Sequence, residues 1–119
     1  EGNSGPYLQY AHARAQSIIK KAGVSPDLPE GVVFEAGERT LARKISEYPE
    51  VVDKAVDELM PHLIATYLYE LAQTFNRFYE NNRVLDDERQ AVRLGLLGLY
   101  AQTLKNGLGL LGITAPDKM

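Results

Sequence analysis

Tyr10 and Arg14 stand four residues apart, with Tyr7 before them and Ser17 and Lys21 after. On a helix these positions share one side, and Tyr10 and Arg14 become neighbours one turn apart. An aromatic ring beside a guanidinium offers an unstacked nucleic-acid base a π-face and a cation together. The same residues serve equally well to cover an adjacent helix or another domain, so spacing alone leaves both readings open. A second pair stands at Tyr79 and Arg83. There a base could stack, or a boundary tyrosine could simply keep its hydroxyl wet. Bond-making chemistry has no comparable candidates. His12 and His62 lie far apart, with no acid or cysteine at ligand spacing, and each reads as a packing or helix-end residue. The chain holds no Cys and no P-loop, G-x-S-x-G or H-E-x-x-H motif. The residues point to a binding surface.

Those side chains need rigid elements to hold them. In a first helix Ser4 is the expected N-cap, Pro6 suits the first turn and Gly23 suits the end. Leu8, Ala11, Ala15, Ile18, Ile19 and Ala22 form a separate apolar side. Pro26, Pro29 and Gly31 make residues 24–36 a loop. A short helix over about 37–47 turns Leu41 and Ile45 inward, and Tyr48-Pro49 ends it, because a residue before proline avoids helical geometry. Pro49 opens a third helix carrying Val51, Val52, Ala55, Val56 and Leu59. A fourth runs from Pro61 to about Asn82, burying Leu63, Ile64, Tyr67, Leu68, Leu71, Phe75 and Phe78 and leaving Tyr69, Asn76 and Arg83 on the far side. Asp86 or Asp87 is the expected cap of the fifth, over about 88–111, which is apolar almost all round and therefore central. Its strip of Ala91, Gly95, Gly98 and Gly109 predicts a close approach by a neighbouring helix, since each interior glycine costs about 1 kcal/mol relative to alanine. No strand alternation and no long repeat competes with this pattern. The fold class is all-α, a bundle of about five helices.

The 119 residues fit a single domain of 13.2 kDa. A net charge of −3 weighs against a freestanding nucleic-acid binder, which normally needs a basic surface. The charge is uneven, however. Residues 1–23 carry Arg14, Lys20 and Lys21 against Glu1, residues 24–61 carry nine acids against four bases, and residues 62–119 are balanced. An RNA face would therefore use the first helix and the last third, leaving the acidic middle to solvent. No apolar run approaches the roughly 20 residues a membrane span needs. The absence of Cys is compatible with a reducing cytoplasm. Glu1 in place of an initiator Met makes a fragment of a longer protein the expectation.

The run Gly5-Pro6-Tyr7-Leu8-Gln9-Tyr10-Ala11-His12-Ala13-Arg14 closely resembles a signature of arginyl-tRNA synthetases, at the start of their C-terminal anticodon-binding domain. Residues 105–119, ending in Asp117-Lys118-Met119, resemble that family's C-terminus. Residues 46–52, Pro61-His62, residues 66–71 and Phe75-Asn76-Arg77-Phe78-Tyr79 resemble the same domain, so the likeness spans nearly the whole chain. It implies the all-α, DALR-type anticodon-binding domain of a class I synthetase, gripping the anticodon stem and loop of arginine tRNA. It also implies Tyr10, Arg14, Tyr79 and Met119 as anticodon contacts, with the stretch from Gly2 to Ser4 approaching the loop. Arg83 falls where some members carry an aromatic contact, which leaves it to stack, to pair with phosphate or to do neither.

For the domain itself the resemblance implies no cofactor and no metal. The parent enzyme, an arginine–tRNA ligase, would use ATP with Mg in a catalytic domain of the same chain. The family's H-x-G-H and K-M-S-K-S-like signatures are absent from these residues, so they are not expected to aminoacylate alone. A cytoplasmic monomer with no membrane partner is the expectation. After Gly112 the tail should double back over the bundle and bring Met119 near Tyr79. The alternative is a helical protein-interaction module that docks a partner on the glycine strip and makes no RNA contact.

Overall fold

The computed structural model describes residues 4–119. Five helices follow in order: α1 (Ser4–Ala22), α2 (Ala36–Ser46), α3 (Tyr48–Asp57), α4 (His62–Asn81) and α5 (Gln90–Leu110). The expected bundle is all-α, and α5 sits at its centre. Its Leu94, Leu96, Leu97, Tyr100, Leu104 and Leu108 are buried, and α1, α2 and α4 all pack against it. Leu8, Ala15 and Ile18 of α1 and Leu68, Leu71 and Phe75 of α4 fill the same core. The α3 helix lies on α4. Among the described residues, no helix is long and apolar enough to cross a membrane.

Local chemistry sets the helix ends. Gly23 takes φ +70° after α1, and Gly112 takes φ +76° after α5. There the Gly112 N–H donates to the Gly109 carbonyl (3.0 Å) and the Ile113 N–H to the Leu108 carbonyl (2.9 Å). This is the paired closure that needs a left-handed residue and turns the chain back sharply. Tyr67 ties α2 to α4, its hydroxyl donating to the Lys44 carbonyl at 2.5 Å. Burial pushes the pKa of that hydroxyl up, so it stays a donor.

Several expectations are corrected. Ser4, the expected cap, lies within α1. The α5 helix begins at Gln90, later than expected, because Asp87 closes the preceding turn. Asp87 accepts the Arg89 N–H on its side chain (2.9 Å) and the Gln90 N–H on its carbonyl (3.0 Å). Leu59 is 86% exposed because α3 ends at Asp57, and Leu59 turns away at φ +54°. Val56 is exposed as well.

The glycine strip meets a loop and no helix. A Cβ on Gly95 would lie 2.6 Å from the Leu28 Cα, and one on Gly98 would lie 2.9 Å from the Pro26 Cβ. The segment between α1 and α2 thus lies directly on α5, so no partner is needed to explain those glycines. Gly109 meets nothing within 4 Å, whereas Gly107 is the position where α5 presses on Leu68 of α4.

The acidic middle is not wholly solvated. Glu38 is 0% exposed and is held by two arginines of the α5 end. Both Arg89 Nε and Arg93 Nε donate to its Oε2 at 2.8 Å. Glu35 caps α2 in a reciprocal box, its N–H donating to Glu38 Oε1 at 2.9 Å. The hydrogen bond from Arg89, the Glu35 N–H and Arg93 outweigh burial and hold the Glu38 carboxyl down to about 2.

Candidate nucleic-acid interface

The α1 helix packs on α5 and α4, which places its Tyr7, Tyr10 and Arg14 side beside Asn76 and Tyr79 of α4. Arg14 and Tyr10 are brought together as lining of one cleft, but their stacking partner is different from the one expected. The guanidinium lies over the Tyr79 ring, 5.1 Å from its centroid, and Arg14 Nη1 donates to Asn76 Oδ1 at 3.3 Å. The Asn76 amide nitrogen donates in turn to the Tyr7 hydroxyl at 3.1 Å. Tyr79 stacks on Phe75 (5.6 Å, 23°), and Phe75 stacks on Tyr100 (4.3 Å, 16°). Arg14 is thereby fixed to an aromatic column that reaches the core. Tyr10 is left 58% exposed.

The tail supplies the other wall. After Gly112 it returns along α1: Gln9 Nε2 donates to the Thr114 carbonyl (2.9 Å), and His12 Nδ1 bonds the Pro116 carbonyl (2.7 Å). Ile113 and Ala115 pack on the core. The result is a cleft of about 220 Å³ lined by Tyr10, Ala13, Arg14, Ser17, Lys118 and Met119. Met119 is 70% exposed there. It shares the cleft with Tyr10 and Arg14, while Tyr79 is joined to that group through Arg14.

Electrostatically this cleft differs from the mean of the molecule. No acidic side chain lines it, and among the described residues neither Arg14 nor Lys118 forms an ion pair. A cleft with two unneutralised cations, an exposed ring and a thioether suits an extruded base next to a phosphate.

Arg83 is placed apart from Arg14. It lines a second cleft of about 330 Å³ with Tyr79, Asn82, Val84, Leu85 and Asp86, and its Nε donates to the Leu85 carbonyl at 2.9 Å. Its own carbonyl accepts from Arg93 Nη1 at 2.8 Å, which links this loop to the Glu38 cluster. Gly2 and Asn3 lie outside the described residues. Sequence reasoning left Asn76 and His12 without a role in the site. Their partners are 62 and 104 residues away, so no local pattern could reveal them.

Comparison with known proteins matches nearly the whole chain. The profile of the family described as DALR anticodon binding domain matches residues 8–119. Arginine–tRNA ligase of Cellvibrio japonicus is 44% identical over 125 residues, covering all of this chain and 22% of that protein. The Pyrococcus abyssi arginine–tRNA ligase is 46% identical over 128 residues, covering all of this chain and 20% of that protein. Among solved structures, Thermus thermophilus arginyl-tRNA synthetase superposes with a TM-score of 0.88 at 41% identity, over all of this chain and 22% of that one. Plasmodium falciparum arginyl-tRNA synthetase gives 0.84 at 30%, over all of this chain and 22% of that one. The chain thus spans about a fifth of the length of the curated relatives it matches.

Proposed function

The chain belongs to the DALR anticodon binding domain family, and on that premise we propose that it recognises the anticodon stem and loop of arginine tRNA through the Tyr10–Arg14 cleft. The observation that carries the proposal is an exposed ring and two unneutralised cations gathered in an otherwise acidic protein. Tyr10 supplies a face for one unstacked base. Arg14, aimed by Tyr79 and Asn76, supplies charge-assisted hydrogen bonds to a base edge or phosphate. Met119 packs against the same base. Tyr79 acts mainly by holding Arg14, and Arg83 offers a weaker contact to the backbone of the loop.

In this reading the parent protein is an arginine–tRNA ligase that uses ATP with Mg in a catalytic domain of the same chain, as a cytoplasmic monomer. These 119 residues position the tRNA for that domain and need no cofactor of their own. The protein-interaction alternative loses its main support, because the chain's own loop already covers Gly95 and Gly98.

Fluorescence titration of arginine tRNA against a non-cognate tRNA tests the proposal. Preferential binding of arginine tRNA, weakened by Tyr10→Ala, is the expected result. Equal affinity for both tRNAs, or no binding to either, would overturn it.

A further inference from the structure

Two stripes run along α1 with the same spacing. Tyr7, Tyr10 and Arg14 face the cleft and α4, whereas Gln9, His12 and Gln16 meet the returning tail or one another. We propose that His12, seconded by Gln9, is a positioning residue that latches the tail and so builds the Lys118–Met119 wall of the cleft. The functional half of this inference rests on the tRNA reading above, and the structural half does not.

His12 is 0% exposed, and a buried imidazole needs partners for its ring nitrogens. A carbonyl oxygen can only accept, so the contact at 2.7 Å to Pro116 requires the hydrogen on Nδ1. Nε2 is then the acceptor, and Gln16 Nε2 stands 3.4 Å from it. An apolar side chain would fill the same space without reaching a backbone carbonyl 104 residues away. Pro116 stiffens the segment that presents this carbonyl, because its ring fixes φ. Gln9 repeats the arrangement one turn earlier, donating to the carbonyl of Thr114. Beyond Pro116 no described hydrogen bond or ion pair holds Lys118 or Met119, yet both line the cleft. Their place is set by the bonds immediately behind them. His12 itself does not line that cleft and acts on RNA only through the tail.

The test compares His12→Leu, which keeps volume but loses the donor, with His12→Asn, whose amide nitrogen stands near the position of Nδ1. Amide hydrogen exchange over residues 113–119 reads the latch, and the Kd for the anticodon stem-loop of arginine tRNA reads its consequence. His12→Leu should speed tail exchange and raise Kd by up to about fivefold, the most that losing the Lys118–Met119 wall can cost. His12→Asn should recover most of both. Gln9→Leu, at a less buried position, should move both readouts in the same direction by less, and it serves as the test if His12→Leu does not fold. Without Lys118 and Met119, His12→Leu should cause no further loss of affinity.

Unchanged tail exchange in His12→Leu, or failure of His12→Asn to recover it, would show that His12 only fills space. An equal loss of affinity in the truncated chain would show that it acts through the fold and not the tail. If the unsubstituted chain does not bind the stem-loop, the tRNA reading has failed, and exchange alone decides whether the latch exists.

Discussion

Two arginine clusters in this protein follow different rules. Arg89 and Arg93 converge on the buried Glu38, with Glu35 beside them, so charge is cancelled where water is excluded. Arg14 meets only neutral partners, the Tyr79 ring and the Asn76 amide, at an exposed position. The first cluster joins α2, the Arg83 loop and the start of α5, while the second leaves a cation available to a ligand. A net charge of −3 therefore says little about either. What matters for binding an anion is where unneutralised charge is gathered beside a stacking surface, and the cleft between α1 and the tail combines Arg14 and Lys118 with the exposed Tyr10 ring.

If the comparison is right, breaking the first cluster should damage the fold and breaking the second should damage binding. The largest effect is expected from Glu38→Ala, which removes the buried carboxylate and leaves Arg89 and Arg93 only the more exposed Glu35 and Asp87. Removing one partner of a buried ion pair typically costs about 3–5 kcal/mol. Urea unfolding should show a loss of that order, with tRNA affinity per folded molecule unchanged. The pH dependence has a defined sign. The Glu38 pKa is lowered from 4.5 to about 2 on folding, so the unfolded chain takes up the proton first. Its contribution is complete above about pH 4.5 and is lost as pH falls toward 2. Glu38→Gln should flatten that limb of an acid titration, and Tyr10→Ala should leave it as it is.

The next effects belong to the cleft. Tyr10→Ala and Arg14→Ala should each weaken tRNA binding by about 1–3 kcal/mol, the range for a lost base-stacking side chain. Unfolding midpoints should correspond to a stability change below about 0.5 kcal/mol, as for exposed substitutions generally. If Tyr10→Ala melts the domain and leaves affinity per folded molecule unchanged, Tyr10 is a structural cover and the contrast between the clusters collapses.

The clusters also differ in how well the sequence announces them. The α1 stripe with Tyr10 and Arg14 is legible because a helix turns four-residue spacing into neighbourhood. Gly23 and Gly112 are legible for a similar local reason, since each stands where a helix must stop. The Glu38 cluster is invisible at that level. Glu38 and Arg93 are 55 residues apart, and in the sequence Glu38 looks like any other acid of an acidic segment. The choice of Tyr79 over Tyr10 as the ring beneath Arg14 is likewise tertiary, fixed by how α1 crosses α4. The glycines of α5 signal a close approach correctly but do not say that the Pro26–Leu28 loop makes it.

A smaller effect is expected at the tail. Removing Lys118 and Met119 takes away one cation and one thioether from the cleft but no buried side chain. Affinity for arginine tRNA should fall by about 1 kcal/mol, more than an exposed charge alone contributes. Thermal unfolding should hardly move. Fusing a tag directly to Met119 should do similar harm by crowding the cleft, and unchanged binding after both manipulations would make the tail a passive end.

Arg83 provides the finest test, because it stands between the two clusters in kind. Its side chain is exposed like that of Arg14, but its Nε is already engaged by the Leu85 carbonyl, and its backbone is held by Arg93 of the closed cluster. Its guanidinium is held by that one local bond, without the second-helix ring and amide that aim Arg14. A loosely directed cation contributes to RNA binding mainly through counterion release, which salt screens, and it carries little base specificity. Arg83→Ala should therefore weaken arginine tRNA and non-cognate tRNA alike, by about twofold to threefold at moderate salt. The dependence of log K on log salt should become shallower by about one phosphate contact or less. Arg14→Ala, by contrast, should reduce the preference between the two tRNAs. Should Arg83→Ala instead abolish that preference while Arg14→Ala merely lowers affinity, the loop cleft beside Tyr79 would be the reading site, and the open cluster would serve only as an electrostatic handle.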